Sequence, residues 1–157
     1  MFIDTQLWVF AKKEPIIEKF VDKESFQEYR RFHQNCQQFL LRAIREEQIW
    51  LTLHQIAEIY HSLSFKGMKL PRNQSHAFLR DLENQENVRI VDLRSQDYNL
   101  ALQESTKSGI HVWDYLCVLP LTGRIRQVVS CDKHFQHESL RLKGSKLVNP
   151  IEKWFLL

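Results

Sequence analysis

The chain alternates short apolar runs with longer stretches whose apolar positions recur at helical spacing. Phe2-Ile3 reads as a short strand, followed at once by the carboxylate of Asp4. From Glu24 to Glu46 the apolar residues Phe26, Tyr29, Phe32, Cys36, Phe39, Leu40 and Ala43 fall three and four apart, which predicts a long amphipathic helix. Ile49–Leu51 predicts a second strand, and the segment after it a helix opening at Thr52, with Thr52 and Gln55 spaced as a capping box. Residues 72–86 predict another helix, Val88–Val91 a strand, and residues 97–107 and 112–122 two helices separated by Gly109. Arg126–Cys131 is a β-branched strand, and Lys146–Val148 a last short one. Short apolar strands separated by helices predict an α/β fold, with a mainly parallel central sheet and helices on both faces. In such sheets ligands collect beyond the C-terminal ends of the strands. That rule moves Asp4 from the edge of a core to the rim of a crevice.

Composition narrows the class. At 157 residues the chain is long enough to bury a core and is expected to form one domain over residues 1–157. With 43% hydrophobic and 26% charged residues it is globular rather than disordered, and only 4 Gly and 4 Pro argue against a turn-rich all-β fold. The 3 cysteines, Cys36, Cys117 and Cys131, lack metal-like pairing and read as reduced, buried thiols. The N-terminal run has no basic segment and is interrupted by Asp4, a poor secretion signal. No apolar stretch approaches a membrane span, so a cytoplasmic protein without a membrane partner is expected. Charge is uneven: from Lys107 onward bases outnumber acids by four, whereas residues 1–106 carry one more acid than base. A basic C-terminal third is compatible with a polyanionic partner, but by charge alone an ordinary solvated surface is the favoured reading.

The chemistry lies in four acids set in apolar surroundings. Asp4 and Asp132 each end a predicted strand, Glu58 sits on the helix opened by Thr52, and Asp114 falls in the nearly uncharged GIHVWDYLCVLPL. Singly, each is more often a cap or a core-edge ion pair, and Asp132 could simply cap the turn KHFQHES. Jointly, a parallel sheet would bring them together, and clustered carboxylates stay protonated without a cation. Oxygen donors with few nitrogens or thiols suit Mg²⁺ or Mn²⁺, and an ion held this way activates water and stabilises in-line displacement at phosphorus. His134 and His137 have HxxH spacing and His54 and His61 share a helix, but no further ligand completes a zinc set, so all four are expected at the surface or core edge. Trp113, Tyr115 and the aromatic stripe Phe26–Phe39 are expected in the core or a dimer surface, and the apolar WFLL tail over a sheet edge or against a partner.

The ordered blocks FIDT, TLHQIAEIYHSL, GIHVWDYL, VVSCDKHF and LVNP give the chain a resemblance to the PIN domain family, in particular the VapC-type toxins of toxin–antitoxin pairs. The family opens with an apolar strand and Asp-Thr, matched by FIDT at 2–5. It carries a Glu on a helix begun by Ser or Thr, matched by Glu58 in TLHQIAEIYHSL, and an apolar run ending in Asp, matched by Asp114 in GIHVWDYL. The next block, a strand then Thr-x-Asp and a Phe three residues on, is matched by Ser130, Asp132 and Phe135 in VVSCDKHF, with Ser in place of Thr. LVNP at 147–150 matches the closing apolar pair and Asn-Pro. The resemblance implies a three-layer sandwich around a sheet of about four to five strands. It also implies an Mg²⁺- or Mn²⁺-dependent endoribonuclease in which Asp4, Glu58, Asp114 and Asp132 bind the metal, while Thr5 and Ser130 orient them. Arg124, Arg126 and Lys133 are weaker expectations as phosphate contacts near the same rim. RNA as substrate, a small antitoxin partner and a homodimer belong to the same implication. The chain is longer than many VapC-type toxins around residues 20–46 and 66–96. PIN domains that process RNA outside toxin pairs, and inactive PIN-like scaffolds, are the alternatives. Two other Asp-led folds fit less well. A haloacid-dehalogenase-type phosphatase wants a second Asp where Gln6 stands, and a receiver domain an acidic pair at the first strand end.

Overall fold

A computed structural model describes residues 1–156 of the chain. Five strands and six α-helices follow one another as β1 (Phe2–Ile3), α1 (Thr5–Lys12), α2 (Lys23–Glu46), β2 (Ile49–Thr52), α3 (Leu53–Phe65), α4 (Arg72–Glu83), β3 (Val88–Val91), α5 (Ser95–Ser108), α6 (Val112–Val118), β4 (Gln127–Val129) and β5 (Lys146–Val148). Every ladder is parallel. Phe2 and Ile3 pair with Val128 and Val129, β4 with β5 from Gln127↔Lys146, and β2 with β3 from Ile49↔Val88. Met1 joins the two halves, its amino group donating to the Gln48 carbonyl at 2.5 Å and its carbonyl accepting from the Trp50 N–H at 2.8 Å. Two parallel sheets, β1-β4-β5 and β2-β3, are thereby joined through Met1 into the order β3-β2-β1-β4-β5, with β1 at the centre, where the winding direction reverses. The carboxyl ends beside such a switch point border a natural crevice.

Alternation along the strands builds two cores. Ile3, Ile49, Leu51 and Val129 pack on one face with Leu7, Trp8, Phe32, Ile59 and Leu79 of α1–α4. Phe2 and Val128 pack on the other with Ala101 of α5, Tyr115 and Leu116 of α6, and Phe135. Helices thus cover both faces, giving the three layers and the parallel five-strand sheet expected from the sequence.

Toward β2 the short β1 ends because its next hydrogen-bonding partners are side chains. The Ile3 carbonyl, on the β2 side, accepts from Gln55 Nε2 at 2.6 Å and Trp8 Nε1 at 3.0 Å, so α1 and α3 are clamped where the strand stops. Gln55 Nε2 is committed to that bond, and Oε1, the acceptor a capping box would use, has no partner among the described residues, so the box stays open. Thr52 still caps α3, its hydroxyl accepting from the Gln55 N–H at 3.2 Å. Thr52→Ala is expected to cost about 1 kcal/mol of stability, measured as a shift in the urea midpoint without a change in slope.

Two sequence expectations change, and that for the C-terminal tail is met. The sequence pattern predicts no element over residues 5–12, yet helix α1 begins immediately after Asp4. The helix expected over 112–122 stops at Val118 and tightens into a 3-10 turn over Leu119–Leu121, where Pro120 brings no backbone N–H. Gly123 then adopts a φ of 77°, a left-handed value that suits glycine. The WFLL tail covers the sheet at Phe155, whose N–H donates to the Cys131 carbonyl at 2.8 Å while its carbonyl accepts from Lys133 at 2.7 Å. The Phe155 ring packs against Phe10 and Phe32, and Leu157 lies outside the described residues.

Candidate metal centre

Each of the four acids is delivered by a different element. Asp4 extends the β1 ladder by one bond, its N–H donating to the Val129 carbonyl at 2.8 Å. It stands at the N-cap of α1, yet its carboxylate caps nothing; Oδ2 instead accepts from the Ser130 hydroxyl at 2.6 Å. Ser130, fully buried after β4, accepts in turn from the Asp132 N–H at 2.9 Å. A single hydroxyl thus locks the ends of β1 and β4 together. Asp132 is buried at the start of a 3-10 turn over Lys133–Gln136 and accepts from the His134 N–H at 2.9 Å, so it does cap the turn. Glu58 arrives from α3, its Oε2 accepting from the Thr5 hydroxyl at 2.7 Å and the Cys117 thiol at 3.4 Å. Asp114 lies in the first turn of α6, on the opposite face of the sheet from α3, with Oδ2 3.2 Å from His134 Nδ1.

The electrostatics are those of a cluster short of positive charge. Burial holds Asp4 well above the usual carboxylate range, against the lowering effect of the Ser130 hydrogen bond, and Asp114, Glu58 and Asp132 add repulsion. Burial, with Asp132 and Glu58 adding to it, pushes Asp114 up to about 7. Asp132 is raised by burial despite the His134 N–H and the nearby imidazole. Burial and Glu58 push the Cys117 thiol up, so it stays protonated and remains a donor.

A divalent cation fits this donor set. Donor atoms of Asp114, Asp132 and His134 lie within 4.8 Å of one another, a spacing that one ion can bridge. Asp4 and Glu58 stand outside that trio but line the same cleft, of about 500 Å³, with Asp114 and Asp132. Carboxylate oxygens in this number suit Mg²⁺ or Mn²⁺. Thr5→Val keeps the side-chain shape but leaves Glu58 without its hydroxyl donor. It is expected to weaken Mn²⁺ binding about tenfold, read by calorimetric titration.

The basic contacts differ from the expectation. Arg124 and Arg126 lie beside Met1, Gln48 and Gln127, at the N-terminal ends of the strands, with Arg124 stacked 5.6 Å over Trp50. A parallel sheet separates that edge from the acids by its whole height, so neither arginine shares their rim. Lys133 is exposed next to Asp132. The cleft's own bases are Lys13 and Lys66, brought together by the ends of α1 and α3. Lys13 Nζ donates to the carbonyls of Ser62 at 2.5 Å and Lys66 at 2.6 Å, fixing the ammonium where α3 ends. Nothing in the local sequence marks either lysine. Trp113, expected in the core or a dimer surface, instead lines the cleft half exposed, stacked 4.6 Å from His54 and 5.7 Å from His111. Tyr115 is buried, as are all three free cysteines. His134, set aside in the sequence as a surface or core-edge residue, stands among the acids. Its signal was the Asp-x-His spacing straight after a strand.

No protein-family model matches the sequence. No curated protein matches it either. Among solved structures the chain is similar to VapBC2 from Rickettsia felis bound to a DNA fragment from their promoter, with a TM-score of 0.55 and 16% identity over 94% of this chain and 96% of that one. At that identity the likeness shows the fold alone.

Proposed function

We propose that the chain is a divalent-metal-dependent endoribonuclease of the VapC type, the toxin of a toxin–antitoxin pair acting in the cytoplasm. The observation that carries this reading is convergence: Asp4, Glu58, Asp114 and Asp132, from four separate elements, line one cleft that also holds Lys13 and Lys66. When bound, Mg²⁺ or Mn²⁺ supplies Lewis-acid stabilisation of charge at phosphorus and acidifies water enough for attack near neutral pH. Asp4 and Asp132 at the sheet rim, with Glu58 and Asp114 from helices on its two faces, would hold the ion. The Ser130 and Thr5 hydroxyls keep the Asp4 and Glu58 carboxylates oriented before the ion arrives. Lys13 and Lys66 attract the RNA backbone to the wall of the cleft.

The solved neighbour, VapBC2 with promoter DNA, supports an antitoxin-like protein partner, and a homodimer completes the proposal. Among the described residues no helix is long and apolar enough to cross a membrane. The test is induced expression in a bacterial host without an antitoxin. Growth arrest with loss of intact RNA, relieved by Asp114→Asn at equal protein level, is the expected result. Unimpaired growth and intact RNA with the unmutated chain would sink the toxin reading.

A further inference from the structure

Three observations single out His134. Its Nδ1 lies 3.2 Å from Asp114 Oδ2 and 3.5 Å from Asp132 Oδ1. That nitrogen is shielded from solvent, yet it has no hydrogen-bond partner among the described residues. Its donor atom also closes the tightest group of potential ligands among them, with Asp114 and Asp132. A buried ring nitrogen without a partner costs free energy unless something else binds it.

The backbone that carries the imidazole is fixed. The His134 N–H donates to Asp132 Oδ1 at 2.9 Å, its carbonyl accepts from the His137 N–H at 2.9 Å, and the neighbouring Phe135 ring stacks 5.8 Å from Phe2 in the core. A residue whose backbone is pinned on both sides has less freedom to lose on taking up a ligand. Neutral imidazole with its proton on Nε2 leaves a lone pair on Nδ1, the form a metal ion needs.

We propose that His134 Nδ1 is a direct ligand of the divalent ion held by Asp114 and Asp132, making the centre a mixed nitrogen–oxygen site that prefers Mn²⁺ to Mg²⁺. The proposal rests on the four-carboxylate reading above and adds a nitrogen to it. Mg²⁺ is a hard ion that favours oxygen and keeps its waters, whereas affinity for imidazole rises along the first-row transition metals, beginning with Mn²⁺. One nitrogen among carboxylates therefore tilts selectivity without excluding Mg²⁺.

The experiment is electron spin-echo envelope modulation of Mn²⁺ bound to the purified full chain, with affinities for Mn²⁺ and Mg²⁺ measured in parallel by calorimetry. The expected result is modulation from a directly coordinated nitrogen, lost in His134→Ala. In that variant Mn²⁺ affinity falls about tenfold or more, and Mg²⁺ affinity falls less. Circular dichroism checks that the variant is folded. The unmutated chain grown with histidine carrying the heavy nitrogen isotope supplies a second reading that needs no mutation, since the modulation frequency must change. Bound Mn²⁺ without nitrogen modulation, or modulation that survives His134→Ala, overturns the ligand role while leaving the carboxylate site intact. Failure to bind Mn²⁺ at all overturns the carboxylate site and the ligand role together.

Discussion

Replacing Asp4 with Asn is expected to lower RNA cleavage in Mg²⁺ or Mn²⁺ by about a thousandfold, the rate equivalent of about 4 kcal/mol, while making the metal-free protein more stable. Both effects have one cause. Asp4 is placed by the β1–β4 ladder at the centre of the rim, where burial and three neighbouring carboxylates disfavour its charge. With an ion in place that charge is a ligand; without one it is a liability. Asn keeps the shape, and its carbonyl can still accept from the Ser130 hydroxyl that now bonds Oδ2. The gain of about 2 kcal/mol near neutral pH corresponds to a thermal midpoint higher by roughly 4–8 °C in a chain of this size. Loss of cleavage together with a lower midpoint would mean that Asp4 holds the fold together rather than the ion.

The metal-free protein should become more stable as pH falls from about 8 to about 5, opposite to ordinary acid destabilisation. The sign follows from proton counts. In the folded chain burial and neighbouring acids raise Asp114 to about 7 and lift Asp4 and Asp132 above their ordinary range. In the unfolded chain these groups titrate near the reference value of 3.8. Between the two values the folded state holds more protons, so stability is greatest at low pH and is lost as pH rises through the folded value. Asp114 alone contributes about 1–2 kcal/mol across this interval once partial solvent screening is allowed for. Saturating Mn²⁺ should reverse the slope, because the ion binds the deprotonated carboxylates and competes with protons. Urea midpoints at several pH values, with and without Mn²⁺, read this directly. A metal-free protein that loses stability steadily on acidification would contradict the clustering of the acids.

The strands were legible because each carries a short apolar or β-branched run, and even β3 and β5, the more exposed edge strands, have the bounds expected from the sequence. Helix α2 was legible because one polar face keeps a periodic stripe visible. Helix α1 was not: TQLWVFAK buries Thr5, Leu7, Trp8 and Ala11, leaving no clean polar face to give a period. Asp4 stands at its N-cap, but its side chain bonds Ser130 instead of the first-turn N–H groups of the helix. At the site, acids in apolar sequence stood out individually, since a charge among apolar residues needs a reason. The lysines did not, because Lys13 and Lys66 look like ordinary surface charge until α1 and α3 fold side by side. Arg124 and Arg126 misled for the converse reason: nearness to β4 in sequence says nothing about which end of the strand a residue occupies.

The most direct test is cleavage of single-stranded RNA by the purified chain, with Mn²⁺, with Mg²⁺ and with a chelator, beside Asp4→Asn and Asp114→Asn. Cleavage that requires the ion and disappears in both variants is the expected result. Equal cleavage by the unmutated chain and the variants, or cleavage that persists in the chelator, would contradict a metal centre built from these four carboxylates.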